Sequence, residues 1–226
     1  MKRSLALLLS FVFIFSFSSC GQNKQDEASM TEQPQISEIG ATAKVVITED
    51  NRGVSSVIND AQIPTFTVDG DSAAIIAINE QIESEILSFC DAAANEPLRA
   101  AKVITKVIDT GRYLQAVVTY GYSYGSIDGN DVRSYIYDKV KDTMVTSIGT
   151  DIDQTIIELF NEKVPSGELI DSSIKGFAFT SSQSIQYFVK IKYNSGAGEQ
   201  SELVTIIPET KSFEQVNADG SVFVKE

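Results

Sequence analysis

The chain has 226 residues and an acidic composition, with 31 Asp and Glu residues against 18 Lys and Arg residues. It contains no histidine, which excludes serine–histidine–aspartate and cysteine–histidine catalysis and histidine-ligated zinc sites within this chain. The formal charge of −13 argues against nucleic acid as a partner, because an acidic surface is repelled by phosphate backbones.

The first 19 residues are typical of a bacterial lipoprotein signal peptide. Lys2 and Arg3 are basic, and residues 5–17 are almost wholly apolar. That apolar run is shorter than the roughly 20 residues a bilayer span needs, so it suits a secretory leader. Two serines then precede Cys20, as small residues precede the lipidated cysteine of a lipobox, although Phe17 stands where an aliphatic residue is usual. We therefore predict lipidation of Cys20 and a membrane anchor on the extracytoplasmic face of a bacterial cell; an ordinary signal peptide is the alternative.

The segment that follows is predicted to be a tether. Residues 20–40 are rich in Gln, Glu and Ser and poor in apolar side chains, so they cannot bury enough surface to offset their ordering entropy. Residues 41–226 are predicted to form one extracytoplasmic domain, with two intertwined halves, about 41–110 and 111–226, as the alternative. Loss of Lys2 and Arg3 with the leader leaves 16 basic and 31 acidic residues, a formal charge of −15. This charge favours cationic partners, although it also serves to keep an exported domain soluble.

Two strands and a helix are predicted first. Residues 43–49 are β-prone, and residues 62–68 resemble an edge strand because Pro64 interrupts them. Residues 73–93 form the strongest helical pattern, preceded by Asp71 or Ser72 as a cap, with Cys90 beside the apolar stripe and therefore buried. The stripe recurs at spacings of three and four and consists of Ile75, Ile78, Ile82, Ile86 and Phe89.

The pattern then changes to the alternation of β-strands. Residues 112–124 and 132–140 are predicted to form an antiparallel hairpin with a seven-residue loop, 125–131. Tyrosine rings on such a hairpin can stack on sugars or form a protein interface; the alternative is aromatic pairing that stabilises the sheet. Five tyrosines crowd this hairpin: Tyr120, Tyr122, Tyr124, Tyr135 and Tyr137.

The same hairpin carries two patterns that suggest chemistry. Gly121–Gly125, GYSYG, matches the nucleophile elbow of serine hydrolases, but Ser123 continues a strand and no histidine exists to activate it. The acidic stretch from Asp128 to Asp131 offers calcium-binding oxygens, yet it lacks the spacing of a calcium loop, and Asn, Asp and Gly also serve turns. We expect no metal site and no cofactor.

The remaining elements are a second helix and more strands. The helix begins near residue 150, followed by strands at 174–180, 184–193 and 202–207 and a hairpin over 213–225. Its inner face is predicted to consist of Ile152, Ile156, Leu159 and Phe160. Strands follow strands with two helices interspersed, which predicts an α+β fold, mainly antiparallel sheet with two principal helices packed on it.

The arrangement resembles a known family, the extracellular domain of bacterial anti-sigma-V factors. This family is of the lysozyme-binding type and also occurs beside peptidoglycan deacetylase domains and in lipoproteins of uncharacterised function. The resemblance is carried by an opening strand and an Ile-Asn helix, a central hairpin and closing strands, which here are residues 64–68, 78–79, 119–138, 177–193 and 204–208. The family's hairpin often carries Gly-Gly-Ala-His, whereas residues 125–129 contain no histidine, so no role of that histidine is carried over.

The resemblance implies an extracytoplasmic binding or sensing module. Together with the acidic charge, it predicts a non-enzymatic protein that binds a cationic protein of the lysozyme kind or a cell-wall glycan. The alternatives are a carboxylate-based cell-wall hydrolase, for which the sequence selects no pair of acids, and a structural subunit of an envelope complex. The predicted binding surface comprises Tyr120, Tyr122, Tyr124, Asp128, Asp131, Tyr135 and Tyr137.

Overall fold

The computed structural model describes residues 35–49, 58–95, 100–124 and 127–216, with the backbone alone at 58–60, 94–95, 100, 124 and 127–128. The described residues belong to one compact unit. The predicted signal peptide and Cys20 lie outside the described residues.

The folded part begins earlier than the sequence predicted. A short helix, α1 (Glu38–Thr42), begins within the segment predicted as tether, residues 20–40. Ser37 caps it, and the Ser37 hydroxyl donates to the carbonyl of Lys139 at 2.7 Å. Gly40 is buried so closely against the Lys139 backbone that no Cβ would fit there. Residues 37–40 are therefore part of the domain, because specific contacts offset their polar composition.

Two sheets and two longer helices complete the described fold. The first sheet has the order β1-β2-β3-β4-β5-β6, and the second has the order β10-β9-β8-β7. All neighbouring strands are antiparallel except β2 and β3, which are parallel. The fold is mainly β, and the α+β class broadly fits. The elements after α1 are β1 (Lys44–Glu49), β2 (Ile58–Thr67), α2 (Ala73–Asn95), β3 (Ala100–Asp109), β4 (Tyr113–Tyr124), β5 (Ile127–Asp138), β6 (Thr143–Met144), α3 (Asp153–Lys163), β7 (Glu168–Phe179), β8 (Ile185–Ser195), β9 (Gly198–Ile207), a 3₁₀ turn (Pro208–Thr210) and β10 (Ser212–Gln215).

Helix α2 agrees with its predicted span and cap. The Ser72 hydroxyl accepts a hydrogen bond from the N–H of Ile75 at 3.2 Å, which satisfies one free amide of the first turn. The predicted stripe contacts one face of β3, β4 and β5 in the first core cluster, and Cys90 is buried there. The buried strand residues of this cluster are Ala61 and Phe66 of β2 together with Val103, Leu114, Ala116, Val118, Tyr120, Tyr135 and Tyr137.

Strand β2 as a whole lies between β1 and β3, but residues 62–67, the part predicted as an edge strand, pair with β1 alone. Its pairing with β3 ends at Ala61, so Pro64 falls where one side of the strand has no ladder partner. Beyond Pro64, the side chain of Asn79 on α2 supplies the hydrogen bonds that a neighbouring strand would otherwise make. Its amide accepts from the N–H of Phe66 and donates to the Phe66 carbonyl, both at 2.8 Å. The helix therefore completes the strand's hydrogen bonding.

The second sheet packs with α3 and against the first sheet. The predicted inner face of α3 lies in a core cluster with alternating residues of β8 and β9. A third cluster joins Val117 and Val132 of the first sheet to Phe188 of the second. Gln115 links the sheets through both its amide atoms, which bond the backbone of Phe179 at 2.7 and 2.8 Å. Strand β10, the first arm of the predicted last hairpin, pairs with β9; the turn and the second arm of that hairpin, residues 217–225, lie outside the described ranges.

The predicted division near residue 110 falls in the turn between β3 and β4, inside the first sheet. None of the helices in the described ranges has the length and the apolar content needed to cross a membrane.

Candidate functional site

The central hairpin has a much shorter connection than predicted. Strand β4 ends at Tyr124 and β5 begins at Ile127, so two residues join them. The acidic stretch predicted as a loop is strand: Gly129 pairs with Tyr122, and Asp131 pairs with Tyr120. Asn, Asp and Gly favour turns in isolation, but here pairing with a β-prone partner strand outweighs that preference.

The tyrosines of the hairpin separate into two environments. Tyr135 and Tyr137 are fully buried under α2, so their rings cannot form an open surface. The Tyr137 hydroxyl donates to Asp142 at 2.8 Å, and Asp142 also accepts from the Ser72 hydroxyl. Tyr122, in contrast, has 36% of its surface exposed. The side chains of Tyr124 and Asp128 lie outside what the structure describes.

A cleft of about 460 Å³ opens between α2 and the outer half of the hairpin. We call it the Tyr122 cleft. It brings together three members of the predicted surface, Tyr120, Tyr122 and Asp131, and adds side chains that the sequence did not point to. Its lining consists of Ser84, Glu85, Ser88 and Phe89 from α2 and Tyr120, Tyr122, Asp131 and Arg133 from the hairpin.

One wall of the cleft is a network of charges and hydroxyls. Arg133 lies between two carboxylates, with its Nε 3.5 Å from Glu85 Oε2 and its Nη1 3.1 Å from Asp131 Oδ2. The Tyr135 hydroxyl donates to the same Glu85 oxygen at 3.0 Å. The Tyr120 hydroxyl is 3.4 Å from that of Tyr135. The polar groups therefore hold one another in place from the core out to the cleft.

The other wall is aromatic. The rings of Phe89 and Tyr120 lie 5.0 Å apart at 59°. Tyr122 lies directly on Gly129: a Cβ at that position would come within 2.1 Å of the Tyr122 Cζ. The glycine is thus required for the ring to cover the neighbouring strand, and the other side of the ring remains available to a ligand.

The buried phenols are neutral at physiological pH. Burial raises the pKa of Tyr120 to about 12, partly opposed by its hydrogen bond with Tyr135. Burial, with the neighbouring Tyr120 and Glu85, also raises the pKa of Tyr135. Both hydroxyls therefore act as hydrogen-bond donors and acceptors in the network.

The cleft has few features of a catalytic site. Ser123 is the penultimate residue of β4 and pairs with Ala100 on one side and Asp128 on the other, and β4 leads into β5, so there is no strand-to-helix turn around this serine. The carboxylates of Glu85 and Asp131 both contact the guanidinium of Arg133, so they do not face each other across an open cleft as the two acids of a glycoside hydrolase do. Among the described residues, no group of three or more acids and cysteines could hold a metal ion.

The opposite end of the hairpin carries a second arginine–carboxylate pair. Arg112 donates from Nη2 and Nε to Asp138 Oδ2 at 2.8 and 3.2 Å. The other oxygen of Asp138 accepts from the N–H groups of Val140 and Lys141. Burial alone raises the pKa of Asp138, but these hydrogen bonds outweigh it and hold that pKa below its ordinary value. This pair closes the turn after β5.

Sequence reasoning missed Glu85, Phe89 and Arg133 as site residues. A weak indication existed, because Arg133 is two residues from Tyr135 and so shares its strand face. Glu85 and Phe89 are four residues apart and share a helix face. What the sequence did not contain is the placement of that helix face over that strand face.

No protein-family model matches this chain, and no curated protein matches it. The likeness to the anti-sigma-V extracellular domain rests on the sequence patterns alone.

Proposed function

We propose that this chain is a lipid-anchored binding or sensing module on the extracytoplasmic face of a bacterial cell, of the type found in the anti-sigma-V family. Its membrane anchor is the lipid on Cys20. It is not an enzyme, it takes no cofactor, and nucleic acid is not a partner. Its fold is built on two principal helices, α2 and α3, packed on the sheets. The ligand is a cell-wall glycan or a cationic protein of the lysozyme kind.

The observation that carries this proposal is the Tyr122 cleft. A concave site with aromatic walls and a few fixed polar groups is the usual form of a ligand pocket. Its side chains are held by mutual hydrogen bonds, so little conformational entropy is lost when a ligand binds. Two carboxylates bound to one arginine support binding over hydrolysis.

The cationic protein is kept as a second candidate because of the outer face of α2. Glu80, Glu83 and Asp91 are exposed on this helix, and its 23 residues include no Lys or Arg. A helix with one sign of charge attracts partners of the opposite sign at long range. The alternative of a structural envelope subunit has no comparable feature in its favour.

A pull-down with the full chain in detergent tests the function. Isolated peptidoglycan and a set of cationic proteins serve as baits, with an acidic protein of similar size as control. We expect retention on peptidoglycan or on at least one cationic protein. No retention on either bait would overturn the proposal.

The anchor is tested separately by labelling cells with a radioactive fatty acid. We expect label on the wild-type chain and none on Cys20→Ser, which should leave the membrane fraction. Equal membrane retention of both chains would contradict lipid anchoring.

A further inference from the structure

We propose that the Tyr122 cleft binds a neutral sugar ring of a glycan, and not the charged side chain of a protein. This inference rests on the proposed function as a binding module and names the ligand of its cleft.

The charge arrangement of the cleft favours a neutral ligand. The position that a ligand cation would take, between Glu85 and Asp131, is already filled by the guanidinium of Arg133. An anion would meet the same two carboxylates beside the arginine. Either charged ligand would lose hydration without finding an opposite charge that lacks an ion-pair partner. A neutral polar ligand meets neither cost.

The walls match the two kinds of surface that a sugar ring presents. A pyranose has apolar C–H faces and an edge of hydroxyl groups. The exposed side of Tyr122 and the edge of Phe89 offer aromatic surface for a C–H face. The cleft volume of about 460 Å³ lies in the range of small-molecule sites, with room for one or two rings of a chain that continues along the surface.

The polar wall can serve the hydroxyl edge without rearrangement. Within the described residues, the Nη2 group of Arg133 has no hydrogen-bond partner, whereas Nε and Nη1 are engaged. Each carboxylate keeps lone pairs beyond those used in the network, since it can accept about four hydrogen bonds. The hydroxyl of Ser84 lies on the α2 side of the same cleft. These groups provide a donor and acceptors for neighbouring sugar hydroxyls.

The test is a calorimetric titration of the full chain in detergent with three probes. They are a neutral oligomer of N-acetylglucosamine, its deacetylated cationic form and a cationic lysine peptide. We expect the neutral oligomer to bind, with a Kd that changes less than about threefold between low and high salt, because no charge is neutralised. The deacetylated form should bind at least about tenfold more weakly.

Variants connect this binding to the cleft. Tyr122→Ala should weaken binding of the neutral oligomer at least about tenfold, while Tyr122→Phe, which keeps the ring, should bind within about threefold of wild type. Glu85→Gln should weaken binding, and Glu83→Gln, the same change on the exposed face of α2, should not.

The outcomes separate this inference from the proposed function. Binding of the neutral oligomer that is insensitive to salt and lost in Tyr122→Ala supports it. Binding of the cationic probes alone, or neutral binding unaffected by Tyr122→Ala, overturns it and leaves the function as a binding module in place. Failure of every probe here, together with no retention in the pull-down, overturns both.

Discussion

The central hairpin carries an arginine–carboxylate site at each end, and the two differ in burial. At the turn end, Asp138 has a side-chain exposure of 3% and accepts from Arg112 and two backbone amides. At the cleft end, Arg133 is 40% exposed, with Glu85 at 31% and Asp131 at 35%. The residue types are the same, but the surroundings are not.

Burial, rather than residue type, therefore separates a contact that stabilises the fold from a contact that is available to a ligand. The buried carboxylate of Asp138 uses both of its oxygens within the fold and is not available to a ligand. Its removal leaves the Arg112 guanidinium and two backbone amides without their hydrogen-bond acceptor. Half-exposed charges contribute little to stability because water screens them, and they keep hydrogen-bonding capacity for a ligand. We therefore expect mutations at the two ends to act on different measurements.

The largest effect is expected at the turn end. Asp138→Ala removes the acceptor of four hydrogen bonds and should lower the free energy of unfolding by about 3 kcal/mol, as measured by urea denaturation.

The matched change at the cleft end is Asp131→Ala, which should lower the free energy of unfolding by less than about 1 kcal/mol. Equal losses from the two substitutions would break the comparison.

The pH dependence of stability sharpens the same contrast. The pKa of Asp138 lies below its ordinary value in the folded chain, so its carboxylate contributes stability above the unfolded pKa of about 3.9. That contribution is lost as the pH falls through the folded pKa. The stability difference between wild type and Asp138→Asn should therefore be full at pH 6 and shrink below pH 4. A difference that stays constant down to pH 2 would argue against this account.

A third prediction concerns the platform under Tyr122. In Gly129→Ala the new methyl group would meet the Tyr122 ring, which must swing off its strand. We expect neutral-oligosaccharide binding to weaken about tenfold, while stability changes by less than about 1 kcal/mol because the ring is half-exposed. Gly196→Ala is the control, since its Cβ would meet no atom within 4 Å. Unchanged binding in Gly129→Ala would show that the ring position is irrelevant.

The smallest effect on stability is expected from Glu85→Gln. The amide oxygen can still accept from the Tyr135 hydroxyl, and only the exposed ion pair with Arg133 is lost. Thermal unfolding should shift by an amount that corresponds to less than about 0.5 kcal/mol. A loss as large as that of Asp138→Ala would mean that the cleft network belongs to the folding core.

Elements with strong local patterns could be predicted from the sequence. Helix α2 agrees in span, in its apolar stripe and in the Ser72 cap, because spacing and capping act within a few residues. Strand β4 begins within a residue of its prediction. The residues from Asp128 to Asp131 were mispredicted as a loop, because their strand conformation depends on pairing with β4 and on contact with the Tyr122 ring.

The rest of the architecture depends on contacts that are distant in sequence. The parallel pairing of β2 with β3, the bond from Asn79 to Phe66 and the sheet-to-sheet link from Gln115 leave no local pattern. The candidate site has the same origin. Tyr122 and Asp131 were predicted as neighbours on a hairpin, but Glu85 and Phe89 reach them only because α2 crosses that face.

A crystal structure of the chain with a neutral N-acetylglucosamine oligomer would show whether the Tyr122 cleft binds a sugar. We expect a sugar ring against the exposed side of Tyr122, with a hydroxyl group within hydrogen-bond distance of Arg133 Nη2 and the Arg133–Glu85–Asp131 network unchanged. A sugar bound elsewhere, or a cleft in which Arg133 has left both carboxylates to admit a cation, would contradict it.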